Sequence, residues 1–141
     1  MDTVSEKRRS ENMRHIRSKD MKPEMIVRRL VHRMGYRYRL HGRELPGKPD
    51  LVFRPRRAVI FVHGCFWHQH DDPECNIARM PKSRLDYWEP KLSRNKARDR
   101  QHHAELVSCG WQVLTVWECQ TKQAKLSELA EIVRSFLDEQ S

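Results

Sequence analysis

Two apolar runs, Asp50-Leu51-Val52-Phe53 and Ala58-Val59-Ile60-Phe61-Val62, stand four residues apart across Arg54-Pro55-Arg56-Arg57. That is the spacing of an antiparallel hairpin, and strands this apolar belong at the centre of a sheet. Everything else must then cover the two faces. A helix over 21–34 is expected, with Asp20 as cap, Pro23 in its first turn, Ile26, Val27, Leu30, Val31 and Met34 as the buried stripe and Gly35 as its stop. A shorter helical stretch over 10–16 precedes it. Tyr36, Tyr38 and Leu40 alternate with Arg37, Arg39 and His41, the period of a strand with one basic face. After the hairpin, a charged helix over 86–108 stopped by Gly110, a strand over 112–117 and an amphipathic helix over 126–137 complete an α-β-β-β-α-β-α order. The fold class is α/β, a mixed central sheet flanked by helices on both faces.

The 28 Lys+Arg against 19 Asp+Glu leave a net charge of +9, which favours a polyanionic partner, nucleic acid first. The basic residues gather in two stretches, at 8, 9, 14, 17, 19, 28 and 29 and at 91, 94, 96, 98 and 100, and read as phosphate contacts. The longest apolar run, 58–62, is far short of the ~18 residues of a membrane helix, and the N-terminus has no apolar leader. A cytoplasmic protein with no membrane partner is expected.

Residues 65–85 are dense in Cys, His, Asp and Pro but carry no apolar period, and a loop that long inside a small domain needs something to hold it. Cys65, His70 and Cys75 are spaced to bind zinc, and a fourth thiolate must come from Cys109 or Cys119. Cys119 is the better choice, because it lies just beyond the strand 112–117, whereas Cys109 sits at a helix end. Four protein ligands make the site structural.

Asp50 opens one hairpin strand and His63 ends the other, so pairing brings both to one end of the sheet. Phosphodiester hydrolysis uses carboxylates to hold one or two Mg²⁺ and a nearby base to move a proton. Asp50 is the natural metal ligand, His68 the acid or base, and Glu24 a holder of metal-bound water. Singly, each has an ordinary structural reading, as a turn residue, a strand-end hydrogen bonder or a helix-dipole partner. Phe66 and Trp67 are adjacent, and in an extended segment they point in opposite directions, so at least one is expected at the surface, where an aromatic suits wedging between bases. Trp88, with Tyr87 beside it, can join them, while Trp111 and Trp117 flank a strand and are expected in the core.

Taken together, Arg9-Ser10 with Asn12-Met13-Arg14, Leu45-Pro46-Gly47 with Pro49-Asp50, His63-Gly64-Cys65-Phe66-Trp67-His68, Asn95 with Arg98-Asp99, and Gly110-Trp111 with Val116-Trp117-Glu118-Cys119 form a pattern. From Arg9 to Cys119 the chain resembles the very-short-patch-repair (Vsr) DNA mismatch endonucleases. The resemblance implies a restriction-endonuclease-like fold and an enzyme that nicks one strand 5′ to the thymine of a T·G mismatch. Such mismatches arise by deamination of 5-methylcytosine, so a cytosine-5 DNA methyltransferase is the implied functional associate. Residue by residue, Asp50 matches the metal-binding catalytic aspartate and the Val62 carbonyl a second Mg²⁺ contact. His68 matches the catalytic histidine, and His63, Glu24 and Asp99 its polar network. Phe66, Trp67 and Trp88 match the aromatic wedge, Met13 the residue inserted from the opposite groove, and Arg14, Lys91 and Asn95 further DNA contacts. Cys65, His70, Cys75 and Cys119 match the structural zinc ligands.

Two departures stand out. Val62 replaces a threonine found in some members, and the His70–Cys75 segment is longer than the shortest family version. The resemblance thus implies a DNA-contacting arm over 1–19, a single endonuclease domain over 20–141, and a monomer using two catalytic Mg²⁺ and one Zn²⁺ on double-stranded DNA. The alternatives are a site-specific nickase or restriction-type endonuclease on paired DNA, and a non-enzymatic zinc-dependent DNA-binding module.

Overall fold

A computed structural model describes residues 22–138. Helix α1 (Pro23–Arg33) begins with proline at its N-terminus, where the missing N–H costs nothing and the fixed φ favours the helix. The expected cap Asp20 and the short helix over 10–16 lie outside the described residues, as does the boundary between arm and domain. Gly35 (φ +98°) stops α1, and Tyr36 N–H donates back to the Val31 carbonyl at 3.3 Å.

Four strands follow in the spatial order β1-β2-β3-β4. Strands β2 (Leu51–Phe53) and β3 (Ala58–His63) form the expected antiparallel hairpin, with Leu51 opposite Ile60 and Phe53 opposite Ala58. Their connector is a 3₁₀ turn over Arg54–Arg56 closed by Arg57 in the left-handed region. Strand β1 (Arg39–Leu40) is much shorter than the period of 36–40 suggests, and both of its residues are exposed. Its end is set by His41, whose φ of +52° breaks the extended chain. Tyr36 and Tyr38 still pack on the core, and Tyr38 meets Phe53 edge-on at 6.0 Å.

Helix α2 (Leu85–Ser108) carries the chain back across the sheet, and β4 (Gln112–Trp117) pairs with β3 in parallel, from Ala58 opposite Gln112 to His63 opposite Trp117. Helix α3 (Leu126–Asp138) closes the fold.

The two-residue period of the strands divides the core. Leu51, Phe53, Ala58, Ile60 and Val116 face α1 and α3, which contribute Ile26, Leu30, Leu129 and Val133. Val52, Val59 and Phe61 face the other way, against Leu106 of α2 and Trp111. Each fully buried Leu on these faces contributes roughly 1.5–3 kcal/mol. The same alternation puts His63, Trp117 and Thr115 on the α2 face, past the end of the packed core.

Candidate active site and metal centre

Asp50 precedes β2 at the end of the turn 45–49. Its Oδ2 accepts the Val62 N–H at 2.7 Å, which fixes the carboxylate against β3. Gly47 in that turn has φ +75°, and a Cβ there would lie 2.9 Å from His102 Cβ, so a side chain is excluded on both counts. Glu24, in the first turn of α1, arrives from the other side. One ligand atom from each of Glu24, His41 and Asp50 falls within a group no wider than 4.8 Å. Burial pushes the Asp50 carboxyl up to about 6; the Val62 N–H opposes this, Glu24 reinforces it and His41 opposes it more weakly. Glu24 Oε1 is buried with no hydrogen-bond partner among the described residues. Two apposed carboxylates suit a hard divalent cation.

Across the same end of the sheet, the His63 and His68 rings stack at 3.8 Å with planes 9° apart. His68 Nδ1 contacts Asp99 Oδ2 at 2.6 Å. A carboxylate accepts only, so Nδ1 carries the proton and Nε2 is left available. Burial, aided by His68 and opposed by Asp99, pulls His63 down to about 4 and keeps it neutral at pH 7. Asp50, Val62, His63, His68 and Asp99 all line one cavity of about 640 Å³, whose wall also carries Lys48, Lys96, Arg98 and Arg100. Glu24 stands behind Asp50, outside the lining.

Cys65, His70, Cys75 and Cys119 offer four ligand atoms within 4.8 Å of one another. His70 Nδ1 lies 3.8 Å from Cys65 Sγ and 3.5 Å from Cys119 Sγ, and Cys119 N–H donates to Cys65 Sγ at 3.4 Å. Cys109 is exposed at the end of α2, outside the group, as the spacing argument required. Burial pushes the Cys65 thiol up to about 12, against the Cys119 N–H and with the help of the neighbouring thiols. Clustered thiols of this kind ionise when a divalent cation supplies the counter-charge. The Cys₃His donor set fits a tetrahedral zinc.

The turn from Gly64 to His70 joins the two clusters. It is not extended: His68 N–H donates to Gly64 O at 3.1 Å and His70 N–H to Cys65 O at 3.0 Å. Phe66 and Trp67 therefore do not diverge. Their rings meet at 5.3 Å, and Trp88 of α2 joins them at 5.4 and 5.8 Å. Trp67 is 47% exposed, capped by Lys91 Nζ at 5.4 Å from its ring centroid. Asn95 Nδ2 donates to Trp67 O at 3.2 Å. Met13 and Arg14 lie outside the described residues.

Trp117 departs from the core expectation that Trp111 meets. It stacks on His70 at 4.3 Å and sets its edge against His63 at 5.4 Å, so one indole separates the cysteine cluster from the histidine pair. Sequence reasoning missed this: the alternation of Val113, Thr115 and Trp117 gives the face on which the indole lies but not the histidines it meets there.

A family model described as DNA mismatch endonuclease Vsr matches residues 1–75, a span that takes in Glu24, Asp50, both stacked histidines and three of the four clustered metal-ligand residues. The chain belongs to the Vsr family. Among curated relatives, the type II nicking enzyme V.XorIIP of Xanthomonas oryzae pv. oryzae is 50% identical over 97% of both chains. The DNA mismatch endonuclease Vsr of Escherichia coli is 41% identical over 79% of this chain and 69% of its own. The type II nicking enzyme V.NmeAIP of Neisseria meningitidis is 38% identical over 97% of both. Membership of the Vsr family makes the chain a nuclease acting on DNA. Among the described residues no helix is long and apolar enough to cross a membrane.

Proposed function

We propose that this Vsr-family chain is a Mg²⁺-dependent endonuclease that nicks one strand 5′ to the thymine of a T·G mismatch, on a restriction-endonuclease-like fold. The observation that carries the reading is the convergence of Asp50 and the Asp99-held His68 on one basic cavity. Asp50 and the Val62 carbonyl would hold Mg²⁺, with Glu24 beside them, and the family resemblance implies two ions there. When bound, the metal neutralises charge at phosphorus and acidifies water.

The chain's own residues do the rest. Lys48, Lys96, Arg98 and Arg100 draw the phosphodiester in. Asp99 holds the His68 ring so that Nε2 faces the cavity, and the neutral His63 ring supports it from below. His68 moves a proton as water attacks phosphorus and the bond to the 3′ oxygen breaks, leaving a 5′-phosphate and a 3′-hydroxyl. Phe66, Trp67 and Trp88 enter the stack at the weak pair, where unstacking costs least. Lys91 and Asn95 support that wedge, and Met13 and Arg14 act from the arm over 1–19. Cys65, His70, Cys75 and Cys119 hold one structural Zn²⁺ with no position left for substrate. The enzyme acts as a cytoplasmic monomer alongside a cytosine-5 DNA methyltransferase.

The test is a strand-specific nicking assay on an end-labelled duplex with a single T·G pair, against T·A and C·G controls, with and without Mg²⁺. Cutting confined to the mismatched thymine strand supports the proposal. Cutting of the paired controls would overturn the mismatch reading in favour of a site-specific nickase on paired DNA.

A further inference from the structure

His41 is exposed, in keeping with its place on the basic face of the 36–41 period, yet its ring reaches the acids. Its φ of +52° aims the side chain at α1, where Nδ1 lies 3.7 Å from Glu24 Oε1 and Nε2 lies 3.0 Å from Arg28 NH2. Arginine has only donors, so Nε2 must accept and Nδ1–H must face the carboxylate. That tautomer leaves His41 unable to ligate a metal through either nitrogen. Arg28 itself stands 3.3 Å from the same oxygen of Glu24. The His41 N–H, meanwhile, donates to the Asp50 carbonyl at 3.0 Å, so one residue touches both acids, one by its ring and the other by its backbone. The buried Glu24 oxygen makes no hydrogen bond and is held by the charge of Arg28, which His41 Nε2 in turn holds in place.

We propose that His41 is a positioning residue which, with Arg28, aims Glu24 at the divalent cation shared with Asp50 and so sets the affinity of that site. The inference rests on the reading of Asp50 as a metal ligand. Groups that orient metal ligands in this way typically carry 10–100-fold in metal affinity.

The experiment is a titration of the zinc-loaded protein with Mn²⁺, free ion being measured by electron paramagnetic resonance, with Asp50→Ala as the blank. Zinc content and melting temperature serve as controls for the fold. His41→Gly keeps the left-handed backbone and removes the ring; His41→Asn tolerates the same φ and keeps a donor at the place of Nδ1. His41→Gly should raise the Mn²⁺ half-saturation about tenfold, in binding and in nicking alike, with kcat at saturating metal little changed, while His41→Asn should stay near wild type. Unchanged half-saturation in His41→Gly overturns the proposal. So does equal weakening in both variants, which would make the ring itself the ligand. Full Mn²⁺ binding by Asp50→Ala overturns the Asp50 reading instead.

Discussion

Replacing Asp50 by Asn should stabilise the metal-free fold while abolishing nicking. Burial and the neighbouring Glu24 carboxylate push the Asp50 carboxyl from 3.8 up to about 6. A carboxyl whose folded value is raised contributes stability that is complete below its unfolded value and lost as pH rises through the folded one. The wild type therefore loses stability between about pH 4 and pH 6, and the loss persists above. At roughly 1.36 kcal/mol per pH unit the upper bound is about 3 kcal/mol, and solvent screening of a group open to the cavity reduces it to about 1–2 kcal/mol. Asn keeps an oxygen for the Val62 N–H and turns an amide towards Glu24 in place of a like charge. Urea unfolding of zinc-loaded protein without Mg²⁺ should thus show Asp50→Asn more stable than wild type at pH 7.5, with a smaller gap at pH 5. Adding Mg²⁺ should stabilise the wild type and leave the variant where it was. Equal or lower stability of Asp50→Asn at pH 7.5 would refute the argument that this acid is held against a desolvation cost.

Cys119→Ala should lose its zinc by metal analysis and melt on the order of 10 °C lower, whereas Cys109→Ala, outside the cluster, should keep both; zinc retained by Cys119→Ala would remove that residue from the ligand set. Asp99→Asn frees the His68 ring and should lower kcat about 100-fold or more with KM little changed; a kcat within threefold of wild type would end the orienting role given to Asp99. Trp67→Ala removes a half-exposed ring, so unfolding should shift by under about 1 kcal/mol. Its affinity for T·G duplex should fall by about 1–3 kcal/mol with paired DNA unaffected, and an equal loss on both duplexes would show that Trp67 does not enter the stack.

The hairpin, the helix over 86–108 and the strand after it were legible because apolar period and turn residues agree there, whereas the parallel seat of β4 beside β3 came only with the structure. The choice of Cys119 over Cys109 was legible for the same reason, since a strand end can reach a loop that a helix end points away from. What period could not show was where side chains go once a strand outruns its core. Trp117 sits on the α2 face with Val113 and Thr115, but nothing in the pattern says that packing stops one residue earlier and leaves the indole against two histidines. The turn over 64–70 was hidden because the hydrogen bonds that close it, His68 N–H to Gly64 O and His70 N–H to Cys65 O, run backbone to backbone and leave no compositional mark. His41 stays exposed, as alternation assigns, but its contact with Glu24 was hidden because it depends on how α1 lies beside β1. Glu24 was named from the helix start, but its distance from Asp50 depends on how α1 lies across the sheet.

The parallel pairing of β3 with β4 also bears on how the protein is made. Chains emerge from the ribosome N-terminus first. A chain elongated only as far as Ser108 already holds Asp50, His63, His68 and Asp99, but it lacks the sixth-register partner of His63 and the last thiolate of the cluster. Until β4 docks, the turn on which His68 rides has its contacts to α2 but lacks those that Glu118 and Cys119 make to Cys65. A nuclease assembled in this order is silent for most of its synthesis, and a fragment ending at Ser108 should bind no zinc and leave DNA uncut.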